Sequence, residues 1–252
     1  MYIEIAEHII KIENLYPFIE EYCRGYTIAP VDQPDITVSV TQSDIEYERS
    51  KSEREDMLEG NAVRRFSDPY LETLAVYRKI ALKLIDHDIL LFHGSVIAVD
   101  GEAYLFTAKS GTGKSTHTRL WRAYFGDRAV MVNDDKPLLR ITDSGVIAYG
   151  TPWDGKHRLS TNTGVPLKAI CALERAAENS IEPVSAREVY PLIVQQTYRP
   201  ADAKALLRTM TLIDRLISET QLYRLHCNMN PDAAVVSYNG MNKYKQEYNH
   251  ET

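Results

Sequence analysis

Eight residues, Ala108 to Ser115, read AKSGTGKS. Their types and spacing suit one kind of chemistry, the gripping of a chain of phosphates. The P-loop or Walker A pattern, G-x-x-x-x-G-K-[ST], asks for three things. Backbone N–H groups converge on the phosphates, a lysine reaches the β- and γ-phosphates, and a hydroxyl holds magnesium. Here Gly111 and Gly113 let the backbone curl, Lys114 is the phosphate lysine and Ser115 the metal hydroxyl. Ser110, Thr112 and Thr116 fall within the same nucleotide-binding stretch. Only the leading glycine is replaced, by Ala108, and alanine serves there if the loop entry needs no positive φ. The helix that starts at the loop also points its N-terminus at the anion. A plain Gly/Ser turn between strand and helix is the alternative, and it leaves a lysine and two hydroxyls placed by chance.

Two carboxylates follow. The run VMVNDD is an apolar strand that ends in Asp134 and Asp135. At such a strand end, behind a nucleotide loop, a carboxylate holds magnesium directly or through water. A pair can divide the labour, one for the metal and one to take a proton from an attacking hydroxyl. Spacing does not assign the two jobs. Aspartates after strands also occur as turn residues; the loop upstream favours the chemical reading.

His93 and Gly94 come just before the loop hairpin, in LLFHGSVIAV. A histidine in so apolar a strand is either a satisfied core or edge residue, or a site residue that tunes a base or shuttles a proton. The segment YGTPWDGKHRLS is the other unusual stretch, with Gly150, Pro152 and Gly155 forcing a structured loop. Trp153 reads as a packing wedge or as a wall for base or substrate. Asp154, Lys156, His157 and Arg158 make a dense charged group. Its basic members suit phosphate or a carboxylate-bearing substrate, with a solvated turn as the alternative. Arg199, after VQQTY, and Arg119, beside the loop helix, are further basic candidates. Tyr198 and Gln195 fit either the same crevice or helix packing, and Arg64-Arg65 reads as a solvated face.

These residues need elements to hold them. YIEIAEHIIKI alternates as a strand, LYPFIEEYC suits a short helix and DITVSV a strand. The charged, apolar-poor QSDIEYERSKSERED is expected as an exposed hairpin or mobile loop. A helix rises from DPYLETLAVYRKIALKLIDH, capped by Asp68 with Pro69 in its first turn. Then DILLFHGSVIAVDGEAYLFTA gives strand, turn, strand, with Asp100-Gly101 a two-residue hairpin turn. The loop helix STHTRLWRAYF stops at Gly126. LLRI and VIAYG form a second hairpin, LKAICAL a core strand, and two helices follow, around AREVYPLIVQQTY and from 202 to about 220. LYRLHCNM returns as a strand, DAAVVSYNGM closes as a helix, and the polar tail after Met241 frays. The fold class is therefore α/β. A small N-terminal α/β region, 1–88, ends in a bridging helix, and a nucleotide-binding domain spans 89–252.

The bulk numbers bound the partners. With 252 residues and 44% hydrophobic composition the chain has material for a real core. A net charge of -6 gives no general pull toward nucleic acid or an anionic membrane, so neither is expected as a partner and any phosphate site is built locally. Cys23, Cys171 and Cys227 lack CxxC spacing, which argues against structural zinc and a disulfide scaffold and for buried thiols at 171 and 227. The N-terminus has acidic residues where a secretory signal starts basic, and no run is long and apolar enough to span a membrane, so a cytoplasmic setting is expected.

Taken together, HG at His93-Gly94, SGTGKST at 110–116 and NDD at 133–135 resemble the kinase domain of HPr kinase/phosphorylase and HPr-kinase-related proteins. That fold is similar to the nucleotide-binding domain of ATP-dependent phosphoenolpyruvate carboxykinase. GTPWDGK and YRLHCNMNPDAAV look like features of the HPr-kinase-related group, and the resemblance covers roughly 90–241. It implies a P-loop kinase-like core of that type and an ATP- and Mg-dependent phosphotransferase acting on a serine-like hydroxyl. The acceptor would be a protein, a peptide or a small molecule. In this reading the loop around Lys114 holds the phosphates of ATP or another nucleoside triphosphate, Ser115 and Asp134 serve Mg²⁺, and Asp135 or its neighbour is the base, with His93 close by. In the bifunctional relatives the same machinery runs backward, with phosphate attacking a phosphoserine. Related enzymes are oligomers, which extends the expectation of a homo-oligomer to this chain. The competing readings are a P-loop NTPase switch, moving a loop such as 43–55, and a non-catalytic nucleotide-binding module.

Overall fold

The structure, a computed structural model, describes residues 1–58, 60 and 62–243. The tail from 244 on, part of the stretch expected to fray, lies outside the described residues. The chain divides into two compact units, one spanning Met1–Leu84 and one from Ile85 on.

In the first unit β1 (Tyr2–Ile5) and β2 (His8–Glu13) are two strands where alternation alone suggested one. Ala6 and Glu7, both with positive φ, make the two-residue turn between them. β3 (Ile36–Ser39) adds parallel to β2. Helix α1 (Phe18–Tyr22) is short, and α3 (Asp68–Leu84) carries the expected apolar stripe, with Leu71, Tyr77, Ile80 and Leu84 buried. The stretch expected as a hairpin or loop is instead helix α2 (Gln42–Leu58). No glycine or proline interrupts it, and Glu, Lys, Arg and Gln are strong helix formers. Ion pairs take the place of an apolar stripe: buried Glu48 binds Arg78 of α3, Asp44 binds Lys79 at 2.6 Å, and fully buried Asp56 takes Arg64 at 2.6 Å. Arg64, expected on a solvated face, thus has a buried partner.

The second unit is an α/β layer structure with a mixed sheet. Its strands are β4 (Ile89–Leu91), β5 (Ser95–Val99), β6 (Glu102–Thr107), β7 (Ala129–Asn133), β8 (Leu138–Thr142), β9 (Gly145–Tyr149), β10 (Gly164–Arg175), β11 (Ser180–Pro183) and β12 (Gln221–Cys227). The path β4-β8-β9-β10-β6-β5-β7 is extended by β12, which pairs parallel to β10, and by β11 beyond it. The helices are α4 (Lys114–Phe125), α5 (Ala186–Gln196), α6 (Ala203–Glu219) and α7 (Asp232–Asn242). The run read as one strand before Asp100 breaks at Phe92–Gly94, so β4 joins the hairpin β8–β9 while β5 joins β6 and β7. The Asp100-Gly101 turn has positive φ at both residues, as its hairpin requires.

Helices cover both faces of the central strands, which is why those strands are apolar throughout. On β6, Ala103 and Leu105 face the core that contains Ile193 of α5 and Leu212, Ile213 and Leu216 of α6. Tyr104 and Phe106 face the other core, with Trp121 and Phe125 of α4 and Ala234 of α7. Cys171 is buried and Cys227 half-buried; both are free thiols. Among the described residues no helix is long and apolar enough to cross a membrane.

Candidate functional site

The register of the sheet gathers the chemistry at one edge. β6 and β10 run parallel with Thr107 beside Ala172, and β10 carries on alongside β12 to Arg175 and Cys227. β5 runs the other way, so its first residue, Ser95, pairs with Phe106 near the end of β6. β7 is antiparallel to β5, so its last residue, Asn133, pairs with Val96 at that same edge. The carboxyl ends of β6, β7, β10 and β12 therefore open together, the place where α/β sheets bind ligands.

The loop that leaves β6 turns on two glycines, Gly111 with φ 75° and Gly113 with φ 125°. An L side chain is strained at either position. Ala108 has no positive φ, is buried, and its carbonyl accepts a bond from Lys114 Nζ at 3.2 Å. No glycine is needed there. Arg175, at the end of β10, donates from Nε to the Thr112 carbonyl at 3.1 Å and from Nη2 to the Gly111 carbonyl. This turns the loop carbonyls toward β10. Ser110 and Ser115 are exposed, Thr112 and Thr116 half-buried. α4 then starts at Lys114 with Gly113 as its N-cap and no side-chain cap, so its first N–H groups have no partner within the helix.

Asn133 shapes the carboxylate turn. Its side-chain oxygen accepts from the backbone N–H of Asp135 (2.9 Å) and Lys136 (2.7 Å), and its amide donates to the Thr151 carbonyl and hydroxyl, each at 3.0 Å. Asp134 points inward: Ser95 Oγ donates to its Oδ1 at 2.6 Å, and Thr118 Oγ1 stands 3.5 Å from the same oxygen. Asp135 is half-buried, with His93 Nε2 3.4 Å from its Oδ1 and Lys136 Nζ 4.0 Å from its Oδ2. His93 is itself pinned, its N–H bonded to the Gln196 carbonyl at 2.8 Å and its carbonyl accepting from Thr107 Oγ1 at 3.2 Å. Gly94 bonds the Asp135 carbonyl at 3.0 Å, and a Cβ there would meet the Phe106 carbonyl at 3.1 Å.

The electrostatics tie these groups into one field. Burial pushes the Lys114 ammonium below its ordinary pKa, while Asp135 and Asp134 pull the other way. Burial lowers the His93 imidazole too, helped by Lys114 and opposed by Asp135. A neutral His93 is therefore favoured, and its contact with Asp135 is a polar one rather than a full ion pair. Asp154 is raised, first by burial, with Asp134 adding to the rise. Arg158 Nη1 lies 3.0 Å from Asp154 Oδ1 but off the line of a hydrogen bond; Ser160 Oγ donates to Oδ2 at 2.8 Å.

The sequence-predicted residues fall into two groups. Lys114, Asp134, Asp135 and His93 share the edge described above. In the second group Trp153 is 2% exposed, so its ring packs inside the protein and offers no wall to a ligand. Lys156 and His157 are exposed, and Gly155 brings their loop against Asp135: a Cβ on it would lie 3.3 Å from Asp135 Cβ. Arg158 folds back on its own loop, donating to the Pro152 carbonyl at 2.7 Å, and Arg199 donates to the Val194 carbonyl at the end of α5. Sequence reading missed Ser95, Thr118 and Arg175. Thr118 carried a signal, being one helical turn beyond Lys114 and so on the same face.

The donors present suit a hard cation. One hydroxyl, Ser115, and two carboxylates are oxygen ligands of the number Mg²⁺ takes from protein when phosphate oxygens and water complete its shell. Asp134 Oδ1 is engaged by Ser95, which leaves Oδ2 for such an ion. Among the described residues no group of three or more His, Cys, Asp or Glu is placed to hold a metal ion.

No protein-family model matches the chain, and no curated protein matches it in sequence. Among solved structures the chain is similar to the HPr(Ser) kinase/phosphatase from Coxiella burnetii, at 11% identity and a TM-score of 0.36, over 64% of this chain and 98% of that one.

Proposed function

We propose that the chain is an ATP- and Mg-dependent phosphotransferase acting on a serine-like hydroxyl of a protein, peptide or small molecule. One observation carries the reading. The loop helix α4, which starts at Lys114, and the carboxylate turn meet at the carboxyl edge of the sheet, where Ser95 Oγ bonds Asp134 at 2.6 Å and lies 3.1 Å from Thr118 Oγ1 of α4.

Each residue then has a task. The loop N–H groups and Lys114 bind and orient the phosphates. Ser115 and Asp134 hold Mg²⁺, which when bound neutralises charge on the phosphate oxygens. Asp135 accepts the proton of the attacking hydroxyl; His93 beside it steadies its orientation. Ser95 and Thr118 keep Asp134 in place. Lys156, His157, Arg158 and Arg199 remain candidates for acceptor contacts. The one example of a moving loop named for the switch reading, 43–55, lies in helix α2.

The test is transfer of labelled γ-phosphate to a phosphocarrier protein, serine peptides and free serine. Asp135→Asn is expected to lower transfer by about 100-fold or more, the range of general-base loss, with nucleotide affinity within about threefold of wild type. If that variant stays folded but no longer binds nucleotide, Asp135 is a metal or structural residue. Hydrolysis without transfer to any acceptor would move the reading to an NTPase.

A further inference from the structure

Positive charge gathers around Asp135 on the side away from the glycine loop's own lysine. Lys136 follows it in the chain, and Lys136 Nζ stands 4.0 Å from Asp135 Oδ2. An ammonium has three donors, and at that distance it spends none on Asp135. The Lys136 backbone is fixed from both sides: its N–H bonds Asn133 Oδ1 at 2.7 Å, and its carbonyl accepts from Thr151 Oγ1 at 2.9 Å. The ammonium therefore hangs beside the carboxylate from a held root.

Three features give this charge a direction. First, the loop that packs on Asp135 through Gly155 goes on to Lys156 and His157. Both are exposed and, among the described residues, have no side-chain hydrogen bond or ion pair. Second, the other charges of that loop are spent inside it. Asp154, 3% exposed, takes Ser160 and faces Arg158, and Arg158 donates to the Pro152 carbonyl. Third, His93, on the other oxygen of Asp135, is held neutral by burial and by Lys114, with Lys136 adding to the effect and Asp135 opposing it. The charge open to an anion is thus that of the lysines. The chain as a whole carries a net charge of -6, so attraction for an anion is confined to this rim.

We propose that the acceptor is a small hydroxy acid, its hydroxyl on Asp135 and its carboxylate bound by Lys136, with Lys156 adding to the field. The proposal rests on the phosphotransferase reading and names its substrate class. Distance limits the size. A hydroxyl oxygen on Asp135 Oδ2 lies about 3 Å from it, so with Lys136 Nζ 4.0 Å from the same atom the two are at most about 7 Å apart. The ammonium–carboxylate bond takes up about 2.8 Å of this. The span that remains, about 4 Å, is crossed by about three or four covalent bonds, as in a 2- or 3-hydroxy acid. A serine inside a peptide offers only a neutral carbonyl at that span, a weaker acceptor. In the transfer Asp135 takes the hydroxyl proton and the oxygen bonds the γ-phosphorus. The bond from that phosphorus to the β–γ bridging oxygen breaks, and ADP and the phosphoester acid are the products.

The experiment gives the full chain labelled Mg-ATP with L-serine, D-glycerate and L-lactate, each beside its neutral amide, and with a serine peptide blocked at both ends and a phosphocarrier protein. Wild type is expected to use at least one acid with kcat/KM about tenfold or more above its amide, the worth of a charge-assisted hydrogen bond. Lys136→Met is expected to collapse that ratio to within about threefold of one, and Lys136→Arg to keep most of it. Lys156→Ala is expected to lower the ratio about two- to threefold, a loss that disappears at high salt. Unchanged Mg-ATP affinity shows that each variant is folded, and the wild-type ratio needs no variant. Equal use of acids and amides by wild type, transfer to the peptide or phosphocarrier protein alone, or a full ratio in Lys136→Met overturns the acid acceptor and leaves the phosphotransferase standing. Transfer to no acceptor at all overturns both.

Discussion

Lys114→Met separates what the loop does for ligand from what it does for the fold. The lysine is 9% exposed, and its pKa is held down, with burial outweighing the pull of Asp135 and Asp134. The sign follows directly: the folded chain holds this proton less tightly than the unfolded chain, so at neutral pH the charged ammonium works against folding. Methionine is of similar length and has no charge to desolvate. Removing the charge recovers its desolvation, several kcal/mol for a buried ion, less about 0.5–1.5 kcal/mol for the lost Nζ bond to the Ala108 carbonyl at 3.2 Å. Against this stands the loss of a counter-charge for Asp134, which keeps its 2.6 Å bond from Ser95, and for half-exposed Asp135. The net is a gain of about 0–1 kcal/mol, or a Tm rise of roughly 0–4 °C in a chain of this size. The ligand responds the other way. A charge-assisted bond worth about 1.5–3 kcal/mol is lost, which weakens nucleotide by about 10- to 100-fold. At 100 times the wild-type Kd, Mg-ATP stabilises wild type by about 2.7 kcal/mol. The variant at the weak end of that range gains only about 0.4 kcal/mol. Thermal unfolding with and without Mg-ATP reads both effects. A variant that melts more than about 4 °C lower without ligand makes Lys114 a structural cornerstone and refutes the sign. A variant that keeps the wild-type shift on adding nucleotide refutes its role as a phosphate contact.

His117 is buried against Phe106 and Trp121, and burial lowers its pKa to about 4. Folded stability is thus full above the unfolded value of about 6.5 and is lost as pH falls toward 4, by about 2 kcal/mol already at pH 5. Urea titrations at pH 7 and pH 5 on wild type and His117→Gln are expected to differ by that amount; parallel pH profiles would mean the imidazole is not held neutral. Ser95→Ala leaves Asp134 Oδ1 with only the 3.5 Å contact from Thr118 and is expected to cost about 1.5–3 kcal/mol in chemical denaturation. Thr118→Val should cost less, and the reverse order would show that distance misranks the two bonds. Gly155→Ala places a Cβ at φ 74° and 3.3 Å from Asp135 Cβ, so about 1–2 kcal/mol of stability is expected to be lost. Steady-state transfer assays on that variant should show kcat falling more than nucleotide affinity, since the strain falls on Asp135 and not on the loop.

How much of this was legible in the sequence depends on whether the signal was local. The glycine loop, the Asp100-Gly101 turn and the α4 stop at Gly126 were readable because single residues with special φ dictate them. The doubly covered strands were readable because burial on both faces leaves continuous apolar runs. Helix α2 was missed although its helix-forming residues are local, because it lacks an apolar stripe and its packing is written in ion pairs to α3 over 30 or more residues, as in Arg78–Glu48 and Lys79–Asp44. The break at Phe92–Gly94 was hidden for the same kind of reason: Phe92 bonds the Pro137 carbonyl and Gly94 the Asp135 carbonyl, so the chain changes neighbours without changing its apolar character. In the site, residue types pointed to Lys114, Asp134, Asp135 and His93. Of their supports, Ser95 bonds Asp134 across 39 positions and Arg175 bonds the loop carbonyls of Thr112 and Gly111 across 63 and 64, and no spacing rule reaches that far.

The same distance argument explains why Gly155 belongs with the aspartates. Between Lys136 and Thr151 the chain leaves the edge as the hairpin β8–β9 and then returns to the residue it left, for Thr151 Oγ1 donates to the Lys136 carbonyl at 2.9 Å and Asn133 holds Thr151 from the other side. The excursion is closed by side chains at its root, so its strands can vary without moving the root. What the root fixes is the pair of backbones that meet at Asp135: the turn from Asn133, which aims the carboxylate, and the loop through Gly155, which packs directly against it. A base must be held in one orientation to be within reach of a hydroxyl proton. For Asp135, the base of the proposed reaction, that orientation would be set by an asparagine two residues upstream and a glycine twenty residues downstream, with His93 closing the third side at 3.4 Å.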